Sequence, residues 1–231
     1  MRISVVGCGY LGAVHAAAMV ELGHEVVGVD VDERKVAALS EGRAPFHEPD
    51  FPALLEHGLA SGRLRFTTDV GEAAGAQVHF VCVGTPQRRG EYAADLRYVQ
   101  AAAESLLQVV EPGELVVGKS TVPVGTAAGL AELFEGKVPG SIVAWNPEFL
   151  REGFAVRDTL HPDRLVYGLP ADGDGVVAER LLDEVYAPIV ARGTPKVTTD
   201  YATAEMVKTA ANSFLATKIS FINAMAELCE A

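Results

Sequence analysis

Gly7, Gly9 and Gly12, within Gly7-Cys8-Gly9-Tyr10-Leu11-Gly12, are placed to hold an anion without a charged side chain. They follow an apolar, β-branched run, Ile3-Ser4-Val5-Val6. They open a stretch of helical spacing in which Val14, Ala17, Ala18 and Leu22 share one stripe, ended by Gly23. A second apolar run, Val26-Val27-Gly28-Val29, delivers Asp30. Strand, glycine turn, helix, strand and acid in this order form a dinucleotide site. Gly7 permits the tight turn, Gly9 leaves a pyrophosphate free to approach, and Gly12 lets the helix pack close to the sheet. Free N–H groups at the helix start, where Tyr10 and Leu11 stand, point at the phosphates. Asp30 can accept hydrogen bonds from both adenosine ribose hydroxyls and would repel a 2′-phosphate, so the cofactor implied is NAD rather than NADP. Lys35 falls near the adenosine, although a solvated helix residue is an equal reading of it.

The elements that must position these groups alternate along the chain. Helix starts are expected at Asp32 to Val36 and from Phe51 to Leu59, with a proline-rich loop between. Leu64 to Thr67 reads as a strand, and Asp69 caps a further short helix, Val70 to Ala74. Val78 to Val83, Leu115 to Val117, Ile142 to Trp145, Arg164 to Tyr167 and Lys196 to Thr199 read as further strands. Helices are expected over Leu96–Val110, Ala127–Phe134 and Val176–Tyr186. Such alternation predicts an α/β, Rossmann-like, doubly wound and mostly parallel sheet, with ligands beyond the carboxyl ends of its strands. Four polar turns converge there: the glycine turn, Gly84-Thr85-Pro86, Ser120-Thr121 and the loop Glu148 to Glu152. From Thr203 to Ala231 there is no Gly or Pro, and apolar residues recur at helical spacing. This predicts one long helix, apolar on more than one face. The expected organisation is an NAD-binding domain over 1–200 and, over 201–231, the start of a long linking helix cut before a second domain. Lys208 and Asn212 project from one side of that helix; taken alone, a solvent-facing pair is the simpler reading.

Composition narrows the classes. The 231 residues are 49% hydrophobic and 22% charged, as in an ordinary α/β protein. No apolar run approaches the roughly 20 residues that cross a bilayer, so no membrane partner is expected. The net charge of −12 argues against nucleic acid. Cys8, Cys82 and Cys229 show neither metal spacing nor a disulfide framework, and no metal site is expected. With no leader before the first strand, a cytoplasmic location fits.

Five segments together resemble one family, the UDP-glucose/GDP-mannose dehydrogenases. They are GCGYLG with VDVD, FVCVGTP, GKSTVPVG, WNPEFLREGFAVRDTLHPDRLVYG, and AEMVKTAANSFLATKISFINAMAELCEA. The stretch Leu160-His161-Pro162-Asp163-Arg164 resembles the UDP-glucose branch more than the GDP-mannose branch. The resemblance implies oxidation of a primary alcohol to a carboxylate by two NAD, with a cysteine capturing the intermediate aldehyde. It further implies that Thr121 holds a water beside the cofactor and that Glu148 serves the hydrolytic half-reaction. Glu152 is implied to sit near the nicotinamide, and Lys208 with Asn212 to hold the reacting oxygen. Glu148, Phe149, Leu150, Arg151 and Glu152 are implied to line the sugar site. Gly84, Thr85, Pro86, Ser120 and Thr121 join the glycine turn, Asp30 and Lys35 around NAD. A homodimer through the 203–231 helix is implied as well.

One departure is large. The family's nucleophile lies in a Gly-rich Cys-Phe-Pro-Lys-Asp segment beyond the position matching Ala231, and no cysteine of this chain has that context. The resemblance therefore implies a cofactor half that does not turn over alone. Competing readings are a stand-alone NAD-binding module without turnover, a GDP-mannose or other nucleotide-sugar dehydrogenase, and a hydroxyacid dehydrogenase of the same superfamily. The Asn146 to Gly153 loop with Leu160 to Arg164 argues against the last.

Overall fold

The computed structural model describes residues 1–230. The chain opens with β1 (Arg2–Val6), α1 (Tyr10–Glu21) and β2 (Glu25–Val29). Two helices, α2 (Glu33–Ser40) and α3 (Phe51–Ala60), precede β3 (Leu64–Thr67). Then come β4 (Val78–Val81), α4 (Arg97–Leu106), β5 (Leu115–Gly118), α5 (Thr126–Lys137) and β6 (Ile142–Trp145). The short α6 (Ala155–Leu160) leads to β7 (Leu165–Gly168), α7 (Gly173–Val185) and α8 (Ala187–Ala191). β8 (Lys196–Thr199) and the long α9 (Tyr201–Glu230) complete the described chain.

All eight strands form one sheet in the order β3-β2-β1-β4-β5-β6-β7-β8. The order reverses between β1 and β4, so the crevice for a ligand opens above their carboxyl ends. Neighbours from β3 through to β6 pair in parallel, whereas β7 meets β6 antiparallel at Trp145 and Gly168. β8 follows β7 in parallel. The reversal brings Arg164, just before β7, to the edge that carries the polar turns. It is held by Asn146 Nδ2, which donates to Val166 O at 2.9 Å. A side chain on Gly168 would also meet Ala204 Cβ at 2.6 Å, so β7 lies close under α9.

The strands are apolar on both faces because helices cover both. On one side Ile3, Val5 and Phe80 pack with Met19 of α1, Leu55 of α3 and Leu182 of α7. On the other, Val27 and Val116 pack with Leu106 of α4 and Phe134 of α5. Gly12 is obligatory for this packing, since a Cβ there would fall 1.8 Å from Gly7 O. Gly7 itself turns the chain at φ 92°.

Several expected boundaries move. The strand expected over Val78–Val83 ends at Val81, and the helix expected to reach Val110 ends at Leu106. The long helix starts two residues earlier than expected because Asp200 Oδ1 accepts the Thr203 N–H at 2.7 Å. Ala231 lies outside the described residues. Within α9 only Ala204, Glu205 and Lys208 are buried. Glu205 fixes the helix to the domain: its two carboxylate oxygens accept from Gly125 N at 2.8 Å and Ala127 N at 2.7 Å, at the start of α5. Further along α9, Phe214, Phe221 and Ile222 are exposed. Among the described residues no helix is long and apolar enough to cross a membrane.

Candidate active site: two clefts flanking the glycine turn

The first cleft, about 480 Å³, lies above the switch point and is lined by Gly7, Gly9, Asp30, Lys35, Gly84 and Pro86. A Cβ on Gly9 would meet no protein atom within 4 Å. The space that a dinucleotide phosphate needs is therefore open in front of that backbone. Asp30 is buried at the end of β2, and its Oδ2 accepts from Cys8 N at 2.8 Å and Lys35 Nζ at 2.7 Å. Oδ1 accepts from Asp32 N at 3.0 Å. The acid is thus braced against the glycine turn and paired with a lysine on the same cleft wall. Residues of this cleft fit NAD: N–H donors at the start of α1, a close-approach glycine and a carboxylate at the ribose end.

The second cleft, about 310 Å³, lies beyond Leu11 and is lined by the Asn146 to Arg151 loop, Arg164, Lys208 and Asn212. Gly9 lines one cleft and Leu11 the other, so the glycine turn forms their common border. Lys208 Nζ lies 2.7 Å from Glu148 Oε1, and both side chains are largely shielded. Glu148 Oε2 accepts the Leu150 N–H at 2.7 Å, which holds the loop in a tight turn. Phe149 receives the Arg164 guanidinium at 4.1 Å and the Lys208 ammonium at 5.6 Å from its ring centre. Lys208 and Asn212 both line this cleft, Lys208 buried and Asn212 exposed. Arg151 is held by Asp158 through three hydrogen bonds of 2.8 to 3.0 Å. That pairing keeps the Asp158 carboxyl below its usual range.

The other residues expected from the sequence lie on the turns and the loop around these clefts. The Thr85 hydroxyl donates to Thr121 O at 2.7 Å, and the Ser120 hydroxyl to Val83 O at 2.6 Å. Both hydroxyl protons therefore knit the turns together. Thr121 is half-buried between those turns, and Glu152 is exposed at the loop's end. The Tyr10 hydroxyl donates to Glu48, and Gly153 N donates to that hydroxyl at 3.2 Å. Burial first, and then the Glu48 carboxylate, push the phenol up to about 12.

Glu48 and Lys119 were not anticipated. Buried Glu48 accepts from Gly153 N at 2.9 Å and Ala155 N at 2.8 Å, so with Tyr10 it ties the glycine turn to the sugar-side loop. Its signal was a lone acid inside a proline-rich loop, with two of its partners more than a hundred residues away. Lys119 follows β5 on the floor of the second cleft, beside the buried His15. Burial lowers its ammonium to about 8 and holds His15 well below its ordinary value, hence neutral.

This fold, with a dinucleotide cleft bordering a cleft that holds a Lys–Glu pair, defines the NAD-binding part of a dehydrogenase. Residues 1–190 match the NAD binding domain of the UDP-glucose/GDP-mannose dehydrogenase family, and residues 202–231 match its central domain. The chain belongs to that family. UDP-glucose 6-dehydrogenase of Rhizobium meliloti is 45% identical over 100% of this chain and 53% of its own length. The TuaD UDP-glucose 6-dehydrogenase of Bacillus subtilis is 40% identical over 99% of this chain and 49% of its own. Among solved structures, a UDP-glucose dehydrogenase from Pyrobaculum islandicum superposes with a TM-score of 0.89 at 43% identity, covering 97% of this chain and 52% of that one. A GDP-mannose dehydrogenase from Pseudomonas aeruginosa gives 0.89 at 36% identity, over 96% and 52%. The chain spans about half the length of the curated relatives it matches.

Proposed function

We propose that this chain is the cofactor half of a nucleotide-sugar 6-dehydrogenase that oxidises UDP-glucose to UDP-glucuronate. The observation that carries the reading is the Lys208–Glu148 pair beside Asn212, in a cleft that shares the glycine turn with the Asp30 cleft. NAD, when bound, supplies the hydride acceptor. Lys208 and Asn212 offer N–H donors to the oxygen of the reacting carbon, where negative charge develops as hydride leaves. Glu148 holds the Lys208 ammonium in place and offers a carboxylate to a water or to the alcohol proton. Thr121 and Glu152, at the rims of neighbouring turns, are proposed to hold water and to contact the nicotinamide end. The UDP-glucose assignment, over GDP-mannose, is supported by the relatives' names and by the Leu160–Arg164 stretch. The boundary near residue 200 is proposed as the division between the cofactor domain and the linking helix.

Titration of the NADH-loaded chain with UDP-glucuronate tests this. Lys208→Met should weaken the sugar nucleotide by about tenfold, as expected for a lost charged contact of about 1.5 kcal/mol. NADH affinity should not change. Equal affinities for UDP-glucuronate would remove Lys208 from the site.

We further propose that α9 is a self-association surface, since Phe214, Phe221 and Ile222 are 60 to 74% exposed along it. Contiguous apolar area of this kind drives association. Light scattering at tens of micromolar should give a mass above the 24.4 kDa monomer; a monomer would refute it.

A further inference from the structure

Lys119 sits below the reaction cleft, and all its hydrogen-bond partners are neutral. Its Nζ donates to Asn146 Oδ1 at 2.9 Å, Asn146 O at 3.3 Å and Tyr186 OH at 3.4 Å. The Tyr186 hydroxyl in turn donates to Asn146 Oδ1 at 2.7 Å. Asn146 is fixed on its other side as well, through Gly118 O at 2.8 Å and Val166 O at 2.9 Å. Two residues later comes Glu148. Pro147 between them has a locked φ, so the orientation of Asn146 passes on with little slack. We propose that Lys119 is a positioning residue: its ammonium, gripping both oxygens of Asn146, fixes the turn that presents Glu148 to Lys208, and the turn relaxes when that ammonium loses its proton. The importance of the Glu148–Lys208 pair rests on the proposed function; the grip on the turn does not.

The chemistry follows from donor count. An ammonium has three N–H groups for the three oxygens that surround it. A neutral amine has two, and must turn its lone pair toward one of those oxygens. Burial makes the change accessible, because desolvation brings the Lys119 ammonium down to about 8. The other groups facing Lys119 are Cys82 just after β4, His15 of α1, Tyr186 after α7, Glu148 of the loop and Lys208 of α9. Burial keeps Cys82 a thiol, pushed up to about 12, and keeps Tyr186 a phenol. His15 stays neutral for the same reason. Relaxation is not unfolding. With the folded value below the ordinary 10.5, the unfolded chain binds more protons between about 8 and 10.5, so stability from this group rises with pH there.

The test is a pH titration of the ligand-free chain, read by the amide resonances of Asn146, Glu148 and Leu150. These should move together with a midpoint of about 8, matching the Lys119 side-chain resonance. Lys119→Arg, which stays charged, should abolish the titration and hold the low-pH positions. Lys119→Met should abolish it and displace the resonances at every pH. Amides that stay flat, or the same midpoint in Lys119→Arg, would overturn the proposal. If neither variant folds, the wild-type comparison still decides, because a mismatch between amide and side-chain midpoints overturns it. A titrating turn in a chain that binds no UDP-glucuronate would sink the proposed function and leave this inference standing.

Discussion

Titrated with NADH and NADPH, the chain will favour NADH by roughly a hundredfold, the equivalent of about 3 kcal/mol. Asp30 is buried at the end of β2 and held in place by Cys8 N, Asp32 N and Lys35 Nζ, so it cannot swing away from a 2′-phosphate. A phosphate placed there would face an immobile carboxylate and lose ribose hydroxyl contacts at once. Lys35 tempers the effect because its ammonium partly neutralises Asp30 at 2.7 Å. That pairing makes a variant unusually informative. Asp30→Ala removes the carboxylate and releases the lysine, leaving a cation on the cleft wall. NADH should then bind about tenfold more weakly, and the preference for NADH over NADPH should shrink toward unity. Equal affinities in the wild type would remove Asp30 from cofactor selection.

The other large effect concerns turnover. Incubated with NAD and UDP-glucose, the chain alone should not give sustained formation of two NADH per sugar. The proposed reaction needs a thiolate to capture the aldehyde before the second hydride leaves. Cys8 is buried under the glycine turn, and burial together with Asp30 raises its thiol well above the ordinary value. Cys82 lines the cofactor cleft, not the sugar cleft, and is pushed up to about 12. Cys229 is exposed near the end of α9, among residues that are all exposed. None of the three is placed to attack a carbon held by Lys208 and Asn212. Without covalent capture of the aldehyde the second oxidation should slow by orders of magnitude. NADH absorbance with analysis of the sugar nucleotide is the readout. Two NADH per UDP-glucose would show that a group of this chain captures the aldehyde, and Cys229 would be the first to mutate.

The cofactor side of the fold was legible because its signal is local. Gly7 to Gly12, the following helix and Asp30 lie within one strand–helix–strand unit, and spacing alone assigns each a physical task. The convergence of the turns after β1, β4, β5 and β6 followed from the alternation of strands and helices. The reversed β7 did not, because periodicity marks a strand without its direction. Its antiparallel meeting with β6 at Trp145 and Gly168 reveals it, and the Asn146–Val166 hydrogen bond holds it. Residues that act through distant partners were equally hidden. Glu48 meets Gly153, Glu205 caps α5 and Lys119 grips Asn146, each across a long stretch of chain. In the sequence they look like a loop acid, a helix acid and a motif lysine. The hydroxyls of Thr85 and Ser120 bond backbone carbonyls of neighbouring turns, a tie that spacing along the sequence does not reveal.

The central claim is that two different ligands meet across the glycine turn, and amide-shift mapping with NADH and then UDP-glucuronate tests it most directly. NADH should move Gly7, Gly9, Asp30, Lys35 and Gly84. UDP-glucuronate, added at millimolar concentration to the NADH-loaded chain, should then move Glu148, Phe149, Arg164, Lys208 and Asn212. The two sets should share residues only along the Gly9–Leu11 border. A chain that binds NADH but shows no response to UDP-glucuronate in that second cleft would contradict the account.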